Sequence, residues 1–174
     1  MRGTGDDGGG RTLPDPGFDG DDGSAPASVR AALEAYAAQP DALHDATLEV
    51  LQHARLLVPV VAVLGEVEVD EQGLAHDKTS DMATVLMRGR DGRDALLAFT
   101  GTEPMRRWDP SARPVPVTVA TAAQAAVQDG AAALLLDVAG PVLFVVEGDD
   151  LAELARGHRL VRVGRRHGWV RPGG

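Results

Sequence analysis

The chain has 174 residues, 44% of them hydrophobic but only 3% aromatic, with 26 acidic and 17 basic side chains and a net charge of −9. That length suits one domain with a core of Val, Leu and Ala, the acidic balance argues against nucleic acid as a partner, and the lack of cysteine removes disulfides, thiolate metal sites and thiol nucleophiles. No apolar run approaches the ~18 residues of a membrane span, and the start is acidic and glycine-rich where a secretory signal would be basic and then apolar, so the expectation is a cytoplasmic protein without membrane contact.

Residues 1–26 are rich in Gly, Asp and Pro. They offer too little apolar surface to offset chain entropy and are expected to form a disordered acidic leader, leaving residues 27–174 as the domain. Ser28 then suits the N-cap of a helix with Val29, Leu33 and Tyr36 on one face. Pro40 interrupts it, and Asp41 suits the cap of a second helix carrying Leu43, Val50 and Leu51. His44 and His53 lie nine apart on that helix, which is not the spacing of a metal pair.

The run RLLVPVVAVLGEVEV, residues 55–69, is β-branched and almost unbroken, the pattern of a strand buried on both faces. Pro59 within it marks an edge or a bulge. Asp91-Gly92 between two apolar runs signals a hairpin, with Met82–Arg88 antiparallel to Asp94–Phe99. Further on, RPVPVTVA reads as a strand. Thr121 and Gln124 fit a capping box for a helix that ends at Gly130, and AALLLD and VLFVVEG read as buried strands. Asp149 suits the cap of a short helix ending at Gly157, and the terminal residues alternate apolar with basic as one or two strands. Two helices followed by strands with mixed connections predict a single α/β or α+β domain whose mixed, partly antiparallel sheet carries packed helices.

Four groups of residues are candidates for chemistry. Thr100, Gly101 and Thr102 form a turn entering a short helix that bears Arg106 and Arg107, a setting in which free N–H groups and guanidinium could hold a small anion. Pro104 at a helix start and Glu103 in the first turn favour the simpler reading, in which Thr102 or Glu103 caps the helix. Glu66, Glu68, Asp70, Glu71, His76, Asp77 and Asp81 form an acidic stretch whose alternation with Val67 and Val69 is that of a half-exposed strand, so no metal site is assigned. Asp137 ends a buried strand where open α/β sheets place functional groups, although turn chemistry alone accounts for an aspartate there. No Gly-x-Ser-x-Gly is present. Arg156, Arg159, Arg162, Arg165, Arg166 and Arg171 follow the last acid, Glu153. Such a basic end could meet an acidic partner or the chain's own leader, or simply be a solvated strand edge. Lys78 is the only lysine, and with the excess of Ala and Gly this has the look of GC-rich coding, as in an actinobacterium, which takes functional weight from the arginine count.

LLVPVVA (56–62), LLAFTGTEPMRRW (96–108), the following RPVPV, AAQAAVQDGAAALLLD (122–137) and AGPVLFVVEG (139–148) together resemble the SseB-like N-terminal domain family, named from the enterobacterial enhanced-serine-sensitivity proteins. In that family a strand ending Phe-Thr-Ser enters a short helix bearing tryptophan, matched here by Phe99-Thr100-Gly101 and Trp108. The family's usual Asn-Pro after the next buried strand is Asp137-Val138 here. The resemblance implies an α/β domain of bacterial proteins with no agreed reaction, catalytic residue or cofactor. The expectation is therefore a non-catalytic interaction or regulatory domain that meets a protein partner, with Arg159, Arg162, Arg165 and Arg166 as one candidate surface. Self-association through an edge strand stays open. The alternative is an anion-binding protein or enzyme using Thr100–Thr102 with Arg106 and Arg107.

Overall fold

The computed structural model describes Phe18, residues 20–63 and residues 81–173. In chain order the elements are α1 (Ala27–Ala38), α2 (Pro40–Leu51), β1 (Arg55–Val63), β2 (Asp81–Thr84), β3 (Leu86–Arg88), β4 (Asp94–Ala98), α3 (Thr102–Trp108), β5 (Arg113–Thr118), α4 (Val119–Gln128), β6 (Ala133–Leu136), β7 (Phe144–Glu147), α5 (Gly148–Ala155), β8 (Arg159–Val163) and β9 (Arg166–Val170). Glu66, Glu68, Asp70, Glu71, His76 and Asp77 of the acidic stretch lie outside the described residues.

Helix ends show where local chemistry decides a boundary. Pro26 precedes the first turn of α1, so Ser28 is a helical residue and not the cap. Gln39 caps α2 because Pro40, with φ already fixed near helical values, takes the first helical position. Asp41 lies one residue further in, where its carboxylate faces the positive end of the helix. In α4 the cap is Thr118, whose Oγ1 accepts from the Thr121 N–H at 3.1 Å, so the helix starts ahead of the predicted Thr121. Its end is as read: Gly130, at φ 73°, lets Ala131 N–H reach Ala126 O and Gly130 N–H reach Val127 O. Likewise α5 begins behind Glu147, with Asp149 in its first turn.

The predicted hairpin is only half an antiparallel pair. Leu86–Arg88 does pair with β4, but Asp81–Thr84 turns away at Val85 and pairs with the far half of β1. Strand β1 therefore has β5 along one edge, while its other edge meets Phe99, the residue after β4, through reciprocal bonds with Leu57, each 2.8 Å, and then β2 from Val60 onward. Pro59 falls where the neighbour changes from Phe99 to β2, which is how a proline is accommodated inside the sheet. On its other side β4 pairs in parallel with β6, and β6 pairs antiparallel with β7. Strands β8 and β9 form a separate hairpin.

Alternation along the central strands divides the core into two layers. Leu56, Val58, Leu96, Ala98, Leu134 and Leu136 face α1, α2, α4 and α5. Leu57, Leu97 and Phe99 face the opposite side, with Met105 of α3 buried among them and Trp108 packed 5.7 Å from the Phe99 ring. Helices on both faces of a mixed sheet give the α+β architecture the sequence implied. No helix among the described residues is long and apolar enough to cross a membrane.

Candidate functional site

The carboxyl ends of the two parallel strands β4 and β6 lie side by side, and the chain leaves each through a turn. Thr100 follows β4 and Asp137 follows β6; both are 3% exposed. Thr100 donates to Asp137 twice, from its N–H to Oδ1 at 2.8 Å and from its hydroxyl to Oδ2 at 2.6 Å. Asp137 N–H donates to Ala98 O at 3.0 Å, and Asp137 O accepts from Gly140 N–H at 2.8 Å. Asp137 holds φ 57°, the left-handed region in which Asp and Asn are the side chains best tolerated after glycine. Burial pushes its carboxyl above the usual aspartate range, and the two bonds from Thr100 only partly offset this. The pair is therefore a clamp across the ends of the parallel strands, with both carboxylate oxygens engaged.

The predicted anion turn is similarly occupied. Gly101 precedes α3 in extended geometry and caps it without a side chain, contrary to the expected Thr102 or Glu103 cap. The Thr102 N–H donates to Gly23 O at 2.8 Å. Glu103 is paired with Arg107 one turn along α3. Arg106 and Arg107 are exposed and are not among the residues lining the cleft described below. The acceptor for Thr102 comes from residues 20–26, within the segment read from composition as leader. These residues run across the turn as a strap, and a Cβ on Gly101 would stand 3.0 Å from Ala25 N and 3.2 Å from Gly23 O, so the absent side chain permits the approach.

Arg55, at the start of β1, ties the strap to the turn. Its guanidinium donates to Thr100 O at 3.1 Å, to Ser24 O at 3.1 Å and to the Asp21 carboxylate. Burial acts to raise the Asp21 carboxyl, but the Arg55 guanidinium and the Gly23 N–H outweigh it and hold it below the usual range. Nothing in the sequence linked Arg55 to a site. The available signal was an arginine opening an otherwise apolar strand.

Between the strap, α1 and the two turns lies a cleft of about 220 Å³. Leu33, Pro104, Pro141 and Val142 give it apolar walls, Thr100–Thr102 and Asp137 form its floor, and Arg30 and Glu34 stand exposed among its lining. Neither Arg30 nor Glu34 forms an ion pair among the described residues. Arg30 and Glu34 escaped the sequence reading because, one turn apart on a helix, they have the pattern of an ordinary solvated face.

The basic end of the chain is placed elsewhere. Arg162, Arg165 and Arg166 of the β8–β9 hairpin share a surface hollow with Asp41 and Asp45 of α2. The hairpin docks through Gln52, whose amide both accepts from Leu160 N–H at 2.8 Å and donates to Leu160 O at 2.7 Å. His167 stands 3.1 Å from Glu49, and His44 stands 3.1 Å from Asp150. The His158 ring beside Glu153 holds that carboxyl below its usual range. Among the described residues, Arg159, Arg162, Arg165 and Arg166 form no ion pair, and the strap meets Arg55 instead of these arginines. No group of acidic and histidine residues with metal-binding geometry occurs among the described residues.

Comparison with known proteins bears on this arrangement in one way. A family model for the SseB protein N-terminal domain matches residues 29–153. That range includes Arg30, Glu34, Arg55, the Thr100–Pro104 turn and Asp137, and it excludes the strap and the β8–β9 hairpin. Searches of curated proteins and of solved structures each returned no match.

Proposed function

The chain belongs to the SseB protein N-terminal domain family, and we propose on that premise that it is a non-catalytic interaction or regulatory domain of the cytoplasm, taking a protein partner in the cleft between α1 and the turns after β4 and β6. One observation carries the reading. The groups at the carboxyl ends of the parallel strands, where a reaction would be expected, are engaged with one another: both Asp137 oxygens by Thr100, and the Thr102 N–H by Gly23. What is left open to solvent is apolar wall with Arg30, Glu34 and Glu103 beside it. An apolar pocket bordered by charge suits the anchor side chain of a partner, with the charges selecting among candidates.

Reversal of a cleft charge tests this. Arg30→Glu places two carboxylates one turn apart on exposed helix and leaves the core untouched. Affinity capture from cells is expected to lose its partner by about tenfold or more, the scale for a charge that contacts a partner directly. Arg90→Glu, in the exposed β3–β4 turn, serves as the control and should keep the partner. Wild-type capture by Arg30→Glu would overturn the assignment.

The second reading, an anion-binding protein or enzyme, is favoured by the presence of Thr100, Gly101 and Thr102 in the cleft floor. Arg106 and Arg107 stand outside the cleft lining, with Arg107 paired to Glu103 at its edge. Thermal shift against phosphate, nucleotides and carboxylates separates the two, since a ligand at 100 times its Kd stabilises by about 2.7 kcal/mol. The interaction reading expects no shift from the panel.

A further inference from the structure

We propose that Arg55 and the backbone of Thr100–Thr102 form a binding site for an acidic peptide segment, and that residues 21–24 of the same chain occupy this site as a displaceable, autoinhibitory strap. Arg55 is the anchor. Its side chain is only 7% exposed, yet two of its three acceptors among the described residues, the Asp21 carboxylate and Ser24 O, belong to the strap. The third, Thr100 O, comes from the body of the domain. A buried guanidinium demands an anionic or carbonyl partner, because an unpaired charge away from water is strongly unfavourable. Strap departure therefore leaves a preformed cation that another carboxylate can satisfy.

The remaining contacts suit an extended acidic ligand. Thr102 N–H supplies a backbone donor 2.8 Å from Gly23 O, and Gly101 gives the space for main chain to lie against main chain. Gly23, at φ 79°, is needed because a Cβ there would stand 2.8 Å from the Thr102 methyl carbon. The matching ligand is thus Asp-x-Gly-Ser in type, with a carboxylate for Arg55 and a small residue over Gly101. The Asp21 side chain is 24% exposed, and a hollow of about 370 Å³ bounded by Asp21, Ser24 and Arg55 opens beside it, giving an incoming carboxylate a route to the guanidinium. Asp21 itself is the leaving partner.

Ser24 and Ala25 also wall the cleft, so displacement of the strap would open it. In that respect alone the inference rests on the interaction reading. Occupation in cis lowers the apparent affinity for an incoming peptide by the fraction of chains with the strap open.

The test uses the full chain and a fluorescent peptide with the sequence of residues 18–27, followed by polarisation. Asp21→Asn weakens the strap and leaves the receptor intact; it is expected to raise apparent peptide affinity about tenfold over wild type, the scale of one charge-assisted hydrogen bond. A peptide carrying asparagine at the position of Asp21 is expected to lose binding to both chains, and Arg55→Gln is expected to lose the authentic peptide. Because Arg55→Gln could unfold the chain, limited proteolysis with hydrogen exchange supplies an independent readout. Excess peptide should expose the strap of the Asp21→Asn chain to protease cleavage while the amides of β4 and β6 stay protected from exchange. Equal peptide affinity for wild type and Asp21→Asn, equal binding of the asparagine peptide, or no binding to either chain would overturn the proposal. Partner capture through Arg30 reads the cleft and not Arg55, so failure of either experiment is distinguishable from failure of the other.

Discussion

Asp137→Ala is expected to destabilise the chain by about 3 kcal/mol, because it strands a buried N–H and hydroxyl on Thr100 and places alanine in the left-handed region. In a domain of this size that lowers Tm by roughly 6–12 °C. Asp137→Asn is expected to stay within about 1 kcal/mol of wild type, since its amide still accepts from the Thr100 N–H and asparagine tolerates positive φ. The pH dependence has a definite sign. A carboxyl raised in the fold favours the folded state at low pH, and that contribution is lost as pH rises through the folded value. Asparagine does not titrate, so its stability relative to wild type should improve from acid toward neutral pH. Urea denaturation of the variants at both ends of that range checks the size and the sign. An Asp137→Asn chain as unstable as Asp137→Ala would show that the charge, and not the hydrogen-bond geometry, holds the clamp.

Phe144→Ala is expected to cost about 3–5 kcal/mol, the range for removing a large buried aromatic ring. Phe144 is fully buried on β7, stacks on the His44 ring at 4.9 Å and meets the Tyr36 ring edge-on at 4.8 Å. It thereby fastens both N-terminal helices to the sheet, and with them the α1 wall of the cleft. The loss should appear as a lower urea midpoint. A cost under about 1 kcal/mol would mean that α1 and α2 are held chiefly by other contacts.

The parts of this architecture legible in the sequence are those set by neighbours in the chain. Unbroken apolar runs marked β1 and β6 as strands buried on both faces, and Gly130 and Gly157 closed α4 and α5. Failures came where distant residues compete. The break at Val85 depends on β1 offering a free edge, a fact written more than twenty residues away. The Thr118 and Thr121 caps differ only in which residue the strand β5 leaves outside the helix.

For the site, Thr100–Thr102 and Asp137 could be picked out as positions, yet their engagement with each other could not, because it rests on the parallel register of β4 and β6. The strap was the hardest to see. Composition correctly describes residues 20–26 as poor in apolar groups, but they are held by Arg55 and by main-chain bonds, neither of which hydropathy registers.

The central claim is that this domain works by binding a partner at the cleft beside α1. A photo-reactive residue at position 34, on the exposed face of α1, tests it most directly when compared in cells with the same residue at position 127, exposed on α4. The account predicts one discrete, reproducible protein adduct from position 34 and none from position 127. Equal adducts from the two positions, or no adduct from position 34 in a chain that turns over a small-molecule substrate, would contradict it.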